Sequence, residues 1–328
     1  MIDSIKKEYK GFAMASIIGV IAILFANYTP SWLNSILLAL LMGVLLGNIT
    51  KVPSTFSSGI SFTSSKMLEL SVLFLAFSIN FAHIAALGIS SFVMITLVVL
   101  MVLIFTYYFA LKVKCPAKAG WLIGFGTAIC GSSAIAALTP IVAKDDKESV
   151  GVSMAVVNLL GTVGMILMPM IFLELKMSNE EMGMLLGGTL HSVGNVAGSA
   201  YSINNEVGET AITIKLARVA LLTPGLLIFN YLVNKNNTNT EVKSKFSLPW
   251  YLWSFIGITI LGSFISFPKE LVSQMELIGK IVLTIAMAAI GLKISFKNLL
   301  QSGQKGLLFG LAIFTLQILL VVALMRLV

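Results

Sequence analysis

Long uncharged runs dominate the hydropathy pattern of this chain. Residues 11–50, 119–143, 149–173 and 306–325 contain no charged side chain. About 20 consecutive apolar residues allow an α-helix to cross a bilayer, so the pattern predicts an all-α membrane protein with one transmembrane domain over residues 1–328. Eleven transmembrane helices are predicted, at 11–28, 32–48, 66–83, 89–111, 118–143, 149–173, 181–203, 208–233, 249–267, 271–293 and 305–327.

Small and polar residues interrupt two of these predicted helices. Residues 126–133 read Gly-Thr-Ala-Ile-Cys-Gly-Ser-Ser, and residues 187–195 read Gly-Gly-Thr-Leu-His-Ser-Val-Gly-Asn. Non-helical backbone at membrane depth survives only where it is buried in protein or lines a wet cavity. We therefore expect breaks around 130–133 and 192–195 that meet near the middle of the membrane. A pair of interrupted helices indicates the substrate site of a transporter.

Two apolar segments resemble each other and suggest an inverted repeat. Residues 75–81 are similar to residues 289–296, and the predicted helices that carry them run in opposite directions through the membrane. Inverted-topology repeats are common in secondary transporters. The predicted architecture is therefore that of an inverted-repeat secondary transporter.

The positive charges of the chain lie in alternate loops. The net charge is +8, and the Lys-rich loops place the N-terminus in the cytoplasm and the C-terminus outside. The polar stretch at about 234–246 is predicted to be a flexible cytoplasmic loop. A multi-pass membrane protein explains this charge without a nucleic-acid partner. Cys115 and Cys130 do not suggest a disulfide framework.

The acidic residues are absent from the predicted middle of the membrane. All 14 Asp and Glu lie in loops or near predicted helix ends, so no carboxylate is available there to carry a cation or a proton. Lys215 and Arg218, in contrast, lie three residues apart on one face of an apolar helix. Two interpretations stay open for this pair. The two side chains bind an anionic ligand, or they snorkel or bond to loop carbonyls as structural residues.

Further candidates lie in the two interrupted segments. His191 and Asn195 are four residues apart, and the pair would bind an oxyanion, relay a proton, or pack as polar helix contacts. The full set of predicted substrate-binding residues is Thr127, Cys130, Gly131, Ser132, Ser133, His191, Asn195, Lys215 and Arg218. No catalytic or metal-binding motif is present, so we expect neither an enzyme nor a cofactor.

Three short blocks resemble a known family. The run at 126–137, GTAICGSSAIAA, is similar to the signature GTSICGASAIAA of the YeiH-like family of proposed sulfate exporters. Residues 188–191 and 214–219 resemble two further blocks of that family. The family pattern has Glu after the His of the second block, whereas this chain has Ser192. The resemblance implies a bacterial inner-membrane carrier related in architecture to cation/proton antiporters and bile-acid-type symporters. Any coupling role of that Glu does not carry over.

These observations together predict a secondary transporter of a small anion, such as sulfate, sulfite or another sulfur-containing anion. Transport would use an elevator-like alternating-access mechanism. The alternatives are a cation-coupled symporter or antiporter of an organic anion, a passive pore, and a membrane-embedded enzyme. Besides the anion and the lipid bilayer, H⁺ or Na⁺ as coupling ion and a second copy of the chain are the candidate partners.

Overall fold

The computed structural model describes residues 2–29, 34–50, 52–78, 87–113, 117–143, 146–174, 177–234, 250–265, 267–294 and 304–326. These residues are mostly helical and contain no strand. Helices satisfy their backbone N–H and C=O groups internally, as a lipid surrounding requires. The predicted all-α class is confirmed. The loop predicted at 234–246 lies outside the described residues, apart from Asn234.

Fifteen α-helices make up the described structure. In chain order they are α1 (Ile2–Phe25), α2 (Ser35–Ile49), α3 (Ser54–Phe62), α4 (Leu68–Leu75), α5 (Gly88–Lys112), α6 (Ala117–Ala128), α7 (Ser132–Val142), α8 (Lys147–Glu174), α9 (Asn179–Thr189), α10 (Val193–Ala200), α11 (Asn205–Ala220), α12 (Leu222–Asn234), α13 (Trp250–Phe264), α14 (Lys269–Lys293) and α15 (Gln304–Met325). A single π-helical turn joins α3 to α4.

Six of the described helical segments are each long and apolar enough to cross a membrane. They are Glu8–Tyr28, Ser54–Ser78, Gly88–Lys112, Lys147–Met170, Lys269–Lys293 and Gln304–Met325. Helices α11 and α12 meet at a bend of 41° and would count as a seventh span if taken together. The prediction of eleven spans requires the short and the broken helices to cross as well, and it stays a prediction.

The predicted start of the third span is wrong. It was placed at Lys66, but the helix already begins at Ser54. Lys66 forms an ion pair with Glu69, three residues further along, at 2.9 Å. Side chains with this spacing lie on the same helix face, so a charged residue that the sequence predicts at the start of the helix lies well within it.

Both predicted interruptions are present. Helix α6 ends at Ala128 and α7 begins at Ser132, while α9 ends at Thr189 and α10 begins at Val193. The second break therefore lies slightly before the predicted 192–195. The inverted repeat stays a prediction, because residues 79–81 and 295–296 lie outside the described part of the chain.

The described chain divides into two compact units. The first contains α1 to α4, α13, α14 and residues 197–209. In this unit α14 packs along α2, and glycines allow the two backbones to approach closely. A Cβ on Gly291 would overlap the carbonyl oxygen of Leu40, and one on Gly43 would overlap that of Ala288.

The second unit contains α5 to α9, α12, α15 and most of α11. Its central helix is α6, on which Leu122, Ile123 and Phe125 are fully buried. Helices α5, α8 and α15 pack around α6. The two breaks therefore belong to the most enclosed part of this unit.

Two polar caps define where helices of the second unit begin. Asp146 accepts hydrogen bonds from the backbone N–H and the hydroxyl of Ser149 at 3.0 and 2.9 Å, just before α8. These bonds hold the pKa of the Asp146 carboxyl below its usual value. Ser178 and Glu181 form a reciprocal capping box at the start of α9. Each cap fixes the starting residue of a helix that leads to the site described below.

The close packing of α2 and α14 gives a direct prediction. Gly291→Ala should destabilise the protein by about 1–3 kcal/mol, because the added methyl group must displace backbone rather than a flexible side chain. The measurement is thermal unfolding in detergent. Gly257→Ala is the matched control, since a Cβ at this position of α13 would have no atom within 4 Å. Equal melting temperatures for the two variants would contradict the close packing.

Candidate functional site

The two helix breaks contact each other. Gly131 lies in the first break with a φ of 75°, a conformation that favours glycine. A Cβ at this position would lie 3.5 Å from the carbonyl carbon and oxygen of His191 in the second break. We call residues 129–131 and 190–192, where the breaks meet, the junction. The predicted meeting of the two interrupted helices is confirmed, although their depth in a membrane stays a prediction.

Lys215 on α11 is fully buried at the junction. Its Nζ donates to the carbonyl oxygens of Ile129 at 2.7 Å, Leu190 at 2.8 Å and His191 at 2.5 Å. A lysine ammonium has three N–H donors, so each of them has a carbonyl partner. One side chain thus binds backbone from both breaks.

Arg218, one turn further along α11, is also fully buried. Its Nε donates to the carbonyl oxygen of Ala128 at 3.2 Å. Its Nη1 donates to those of Gly187 at 2.9 Å and Leu190 at 3.0 Å. Its Nη2 donates to those of Thr127 at 2.8 Å and Ala128 at 3.0 Å. These five bonds match the five donors of a guanidinium.

The contacts of Lys215 and Arg218 correspond to one of the two interpretations left open by the sequence. Their partners are the carbonyls at the C-terminal ends of α6 and α9 and in the breaks that follow. The last carbonyls of any helix lack intrahelical partners. The two cations fill this role as structural residues, and an anion could contact them directly only if some of these bonds opened.

The junction keeps a positive charge. The C-terminal ends of α6 and α9 each carry about −0.5 charge, and the N-terminal ends of α7 and α10 each carry about +0.5. These partial charges roughly cancel, which leaves the charges of Lys215 and Arg218. No described carboxylate forms an ion pair with either side chain; the described pairs are Lys66–Glu69 and Lys280–Glu276. The surroundings of the junction therefore favour an anion.

The hydroxyl groups near the first break have different surroundings. Thr127 is buried, and its hydroxyl donates to the carbonyl of Ile123 within α6 at 2.8 Å. Ser132 and Ser133 begin α7 after Gly131, which provides no side-chain cap. The Ser132 hydroxyl donates to Oδ1 of Asn158 on α8 at 2.6 Å. Ser132 and Ser133 are therefore the hydroxyls of this group that lie on the accessible side of the break.

Two further contacts complete the first break. Ser133 donates to the carbonyl of Cys130 at 3.2 Å, and its Oγ lies 3.0 Å from the Cys130 sulfur. Cys130 is 7% exposed. The small thiol thus packs against the first turn of α7, as expected for a packing residue.

His191 and Asn195 lie together beside α8. Both contact Gly161, whose Cβ would lie 3.2 Å from the Cβ of His191 and would overlap the amide nitrogen of Asn195. The His191 ring is buried, and its centroid lies 4.7 Å from that of the Phe314 ring of α15, with the two rings tilted by 54°. Neither ring nitrogen of His191 has a hydrogen-bond partner among the described residues. Asn195 is 7% exposed. The two side chains are therefore neighbours, although no continuous helix joins them, because α10 begins only at Val193.

The backbone N–H of Asn195 is capped by the Ser192 hydroxyl at 3.0 Å. Its side-chain amide makes no hydrogen bond to the part of the chain that the structure describes. Unpaired polar groups are costly in a protein interior. The amide of Asn195 and the ring of His191 are therefore the polar groups at the junction that are available to a ligand.

A known protein family matches most of this chain. The family model described as Conserved hypothetical protein 698 matches residues 10–310, which include every residue of the junction. The chain belongs to this family, UPF0324. The resemblance found in the sequence blocks is confirmed at the level of the family.

Relatives match over nearly their full length. The UPF0324 membrane protein YdhF of Lactococcus lactis subsp. lactis (strain IL1403) is 32% identical over 97% of this chain and 98% of its own. The UPF0324 inner membrane protein YeiH of Escherichia coli (strain K12) is 31% identical over 93% and 89%. A UPF0324 membrane protein of Helicobacter hepaticus is 31% identical over 94% and 95%. Together with the apolar helices, these relatives show that this UPF0324 member is a membrane protein.

Sequence reasoning missed two residues near the junction, Gly161 and Gln317. Gly161 provides the space that the Asn195 amide occupies. Gln317 on α15 is buried and donates to the carbonyl of Gly188 near the end of α9 at 2.7 Å. Gln317 is a polar amide within an uncharged run, and this pattern could have indicated a buried hydrogen bond. No comparable signal existed for Gly161, whose role depends on a residue from a distant helix.

The bonds of Arg218 predict a structural phenotype. Arg218→Gln should destabilise the protein by about 3–5 kcal/mol, because buried carbonyls at the ends of α6 and α9 lose their donors. Arg218→Lys should lose less, since the charge stays but the planar fork is absent. Thermal unfolding in detergent measures both, with the exposed Arg326→Gln as control. An unchanged melting temperature in Arg218→Gln would show that the junction does not depend on this side chain.

Proposed function

We propose that this UPF0324 member is a secondary transporter of a small anion, with the junction as its substrate site. The single observation that carries the proposal is the burial of Lys215 and Arg218 at two helix breaks without a carboxylate partner in the described residues. A buried charge without an opposite charge is unfavourable. A bound anion would supply that opposite charge.

The ligand would contact neutral donors rather than the two cations. The His191 ring and the Asn195 amide lie at the junction without described partners, and the amide nitrogen of Asn158 lies beside Ser132. The first N–H groups of α7, which no side chain caps, add backbone donors. Lys215 and Arg218 would act on the anion through the electric field while their hydrogen bonds hold the breaks in place.

A transporter explains the interrupted helices better than an enzyme does. Broken helices that meet in the interior of a helical membrane protein are a feature of secondary transporters. An enzyme would need a nucleophile held by a base, whereas the His191 ring has no hydrogen-bond partner in the described residues. No group of His, Cys, Asp and Glu among those residues has the arrangement of a metal site.

The number of spans, the transport mechanism and the kind of anion are proposed from the sequence. We propose eleven spans with an inverted repeat in the bacterial cell membrane, elevator-like alternating access, and a sulfur-containing anion such as sulfate or sulfite. The support is the similarity of residues 126–137 to the YeiH-like signature and the similarity of 75–81 to 289–296. H⁺ or Na⁺ is proposed as the coupling ion, and His191 is the side chain at the junction that would carry a proton.

Anion binding should stabilise the purified protein. Sodium salts of sulfate, sulfite, alkyl sulfonates and carboxylates at matched ionic strength are compared with sodium chloride in a thermal-shift assay, and a ligand at 100 times its Kd adds about 2.7 kcal/mol. Asn195→Ala should lose this stabilisation but keep the unliganded melting temperature, because its amide has no described protein partner. Asn205→Ala, in the other unit, is the control.

The rate of anion exchange across a membrane is the second measurement for the same variants. Proteoliposomes that contain wild-type protein should exchange the stabilising anion, and Asn195→Ala should exchange it more slowly. If no anion stabilises the protein and none is exchanged, the proposed function is wrong.

His191 should couple proton and anion binding. The charged groups near it are Lys215, whose Nζ binds the His191 carbonyl, and Arg218. A protonated ring adds a third positive charge, which a bound anion stabilises, so proton and anion should bind cooperatively. Anion affinity should therefore increase as the pH falls from about 7 to about 5, and His191→Gln should flatten this dependence. The chain's other histidine supplies the control, His83→Gln. Parallel curves for wild type and His191→Gln would remove His191 from coupling.

A further inference from the structure

The outward-facing residues of the long helices are mostly large and apolar. On α5 they include Ile89, Val93, Leu97, Met101 and Ile104. Such faces suit contact with lipid. Between Leu111 and Val163, however, the described residues include no large apolar side chain that is exposed. This part of the second unit therefore differs from a lipid-facing surface.

The exposed residues of this region are small or polar. Beyond the charged residues Lys112, Lys118, Lys147 and Glu148, they are Ser133, Ala136 and Pro140 on α7 and Gly151 and Asn158 on α8. A Cβ on Gly151 would meet no atom within 4 Å. We call these five residues, with the half-exposed Ala155 and Thr162, the polar face.

The exposed residues of α8 change from small or polar to apolar along the helix. Its exposed residues after position 162 are Val163, Leu167 and Met170, all apolar. The change occurs next to Gly161, which contacts His191 and Asn195. The polar face thus runs from the start of α8 to the level of the junction and does not continue beyond it.

Lipid is an unsuitable neighbour for this face. An amide or hydroxyl exposed to hydrocarbon costs several kcal/mol unless it is hydrogen-bonded. The exposed Asn158 accepts a hydrogen bond from Ser132, but its amide nitrogen makes none to the described chain. The polar face is exposed in the structure, so the described residues of its own unit do not cover it.

We propose that the polar face lines the aqueous path between one membrane surface and the junction. Two observations independent of the small residues point to a ligand at its inner end. The His191 ring and the Asn195 amide are both more than nine-tenths buried there, and neither has a described side-chain partner. The identity of the solute as an anion rests on the proposed function, whereas the presence of water along the face does not.

Cysteine accessibility tests the path at matched depth. Asn158 lies 11 residues from Lys147 at the start of α8, and Val163 lies 11 residues from Glu174 at its end. Both are about 16 Å from a helix end, which is close to the middle of a bilayer core of about 30 Å. Ala155 and Leu167 form a second, shallower pair. Asn158→Cys and Ala155→Cys are compared with Val163→Cys and Leu167→Cys in proteoliposomes.

The probe is a charged, membrane-impermeant methanethiosulfonate. A cysteine thiolate attacks its sulfenyl sulfur, a mixed disulfide forms, and methanesulfinate leaves. Because the thiolate needs water to form, Asn158→Cys and Ala155→Cys should react at least about tenfold faster than the other two variants. Wild-type protein, with its own Cys115 and Cys130, provides the background rate.

The outcomes separate this inference from the proposed function. Equal rates at all four positions, or labelling at Val163→Cys and Leu167→Cys alone, would overturn the aqueous path. Slow labelling of Asn158→Cys together with cross-linking between copies would overturn it as well, since a second chain would then cover the face. A stabilising anion should slow the labelling of Asn158→Cys. Fast labelling that no anion changes would support the path and count against anion transport.

Discussion

Two broken helices in a membrane protein require partners for the carbonyl groups that the breaks release. In this UPF0324 member the partners are the side chains of Lys215 and Arg218, which make eight hydrogen bonds to backbone oxygens. Lipid offers no hydrogen bonds, so each unpaired carbonyl would cost several kcal/mol. The rest of the candidate site depends on this arrangement, because it fixes where α7 and α10 begin and therefore where their N–H groups lie.

The same arrangement links structure and ligand chemistry. A neutral donor such as Asn or Ser would satisfy some of these carbonyls, but a Lys and an Arg satisfy all eight contacts and bring two positive charges. The described surroundings contain no carboxylate that neutralises them. The scaffold thus creates an electrostatic preference for anions without using the charged groups as direct ligands. In the proposed function, neutral groups such as the Asn195 amide would contact the anion and release it again during the transport cycle.

Several features of this site could be predicted from the sequence. The concentration of Gly, Ser and Thr at 126–133 and 187–195 predicted both breaks, because these residues are unusual in lipid-facing helices. The spacing of Lys215 and Arg218 predicted that the two cations share one face. Helical periodicity does not show which backbone a side chain meets, however, so the sequence could not distinguish a carbonyl-bound Arg218 from a ligand-bound one.

Other features depended on contacts between distant residues. Gly161 acquires its role from Asn195 on another helix, and the bend between α11 and α12 lies in an apolar run with no clear marker apart from Pro224. The sequence predicts a helix start at Lys66 instead of Ser54, because charge alone does not reveal the ion pair of Lys66 with Glu69. Several predicted spans consist of two short helices in the structure. Each of these is too short to cross a membrane alone, so the structure supports fewer spans than the sequence predicts.

The bond from Lys215 to Ile129 has a consequence for biosynthesis. The two residues are 86 positions apart in the chain. At a synthesis rate of about 5–20 residues per second, roughly 4 to 17 seconds pass between their translation. The segment around Ile129 is therefore synthesised before its cation exists. The nascent segment must therefore stay in the translocation machinery or adopt a continuous helix, and the break can form only when α11 arrives. The native geometry of the first break is in this sense a late event in the assembly of the protein.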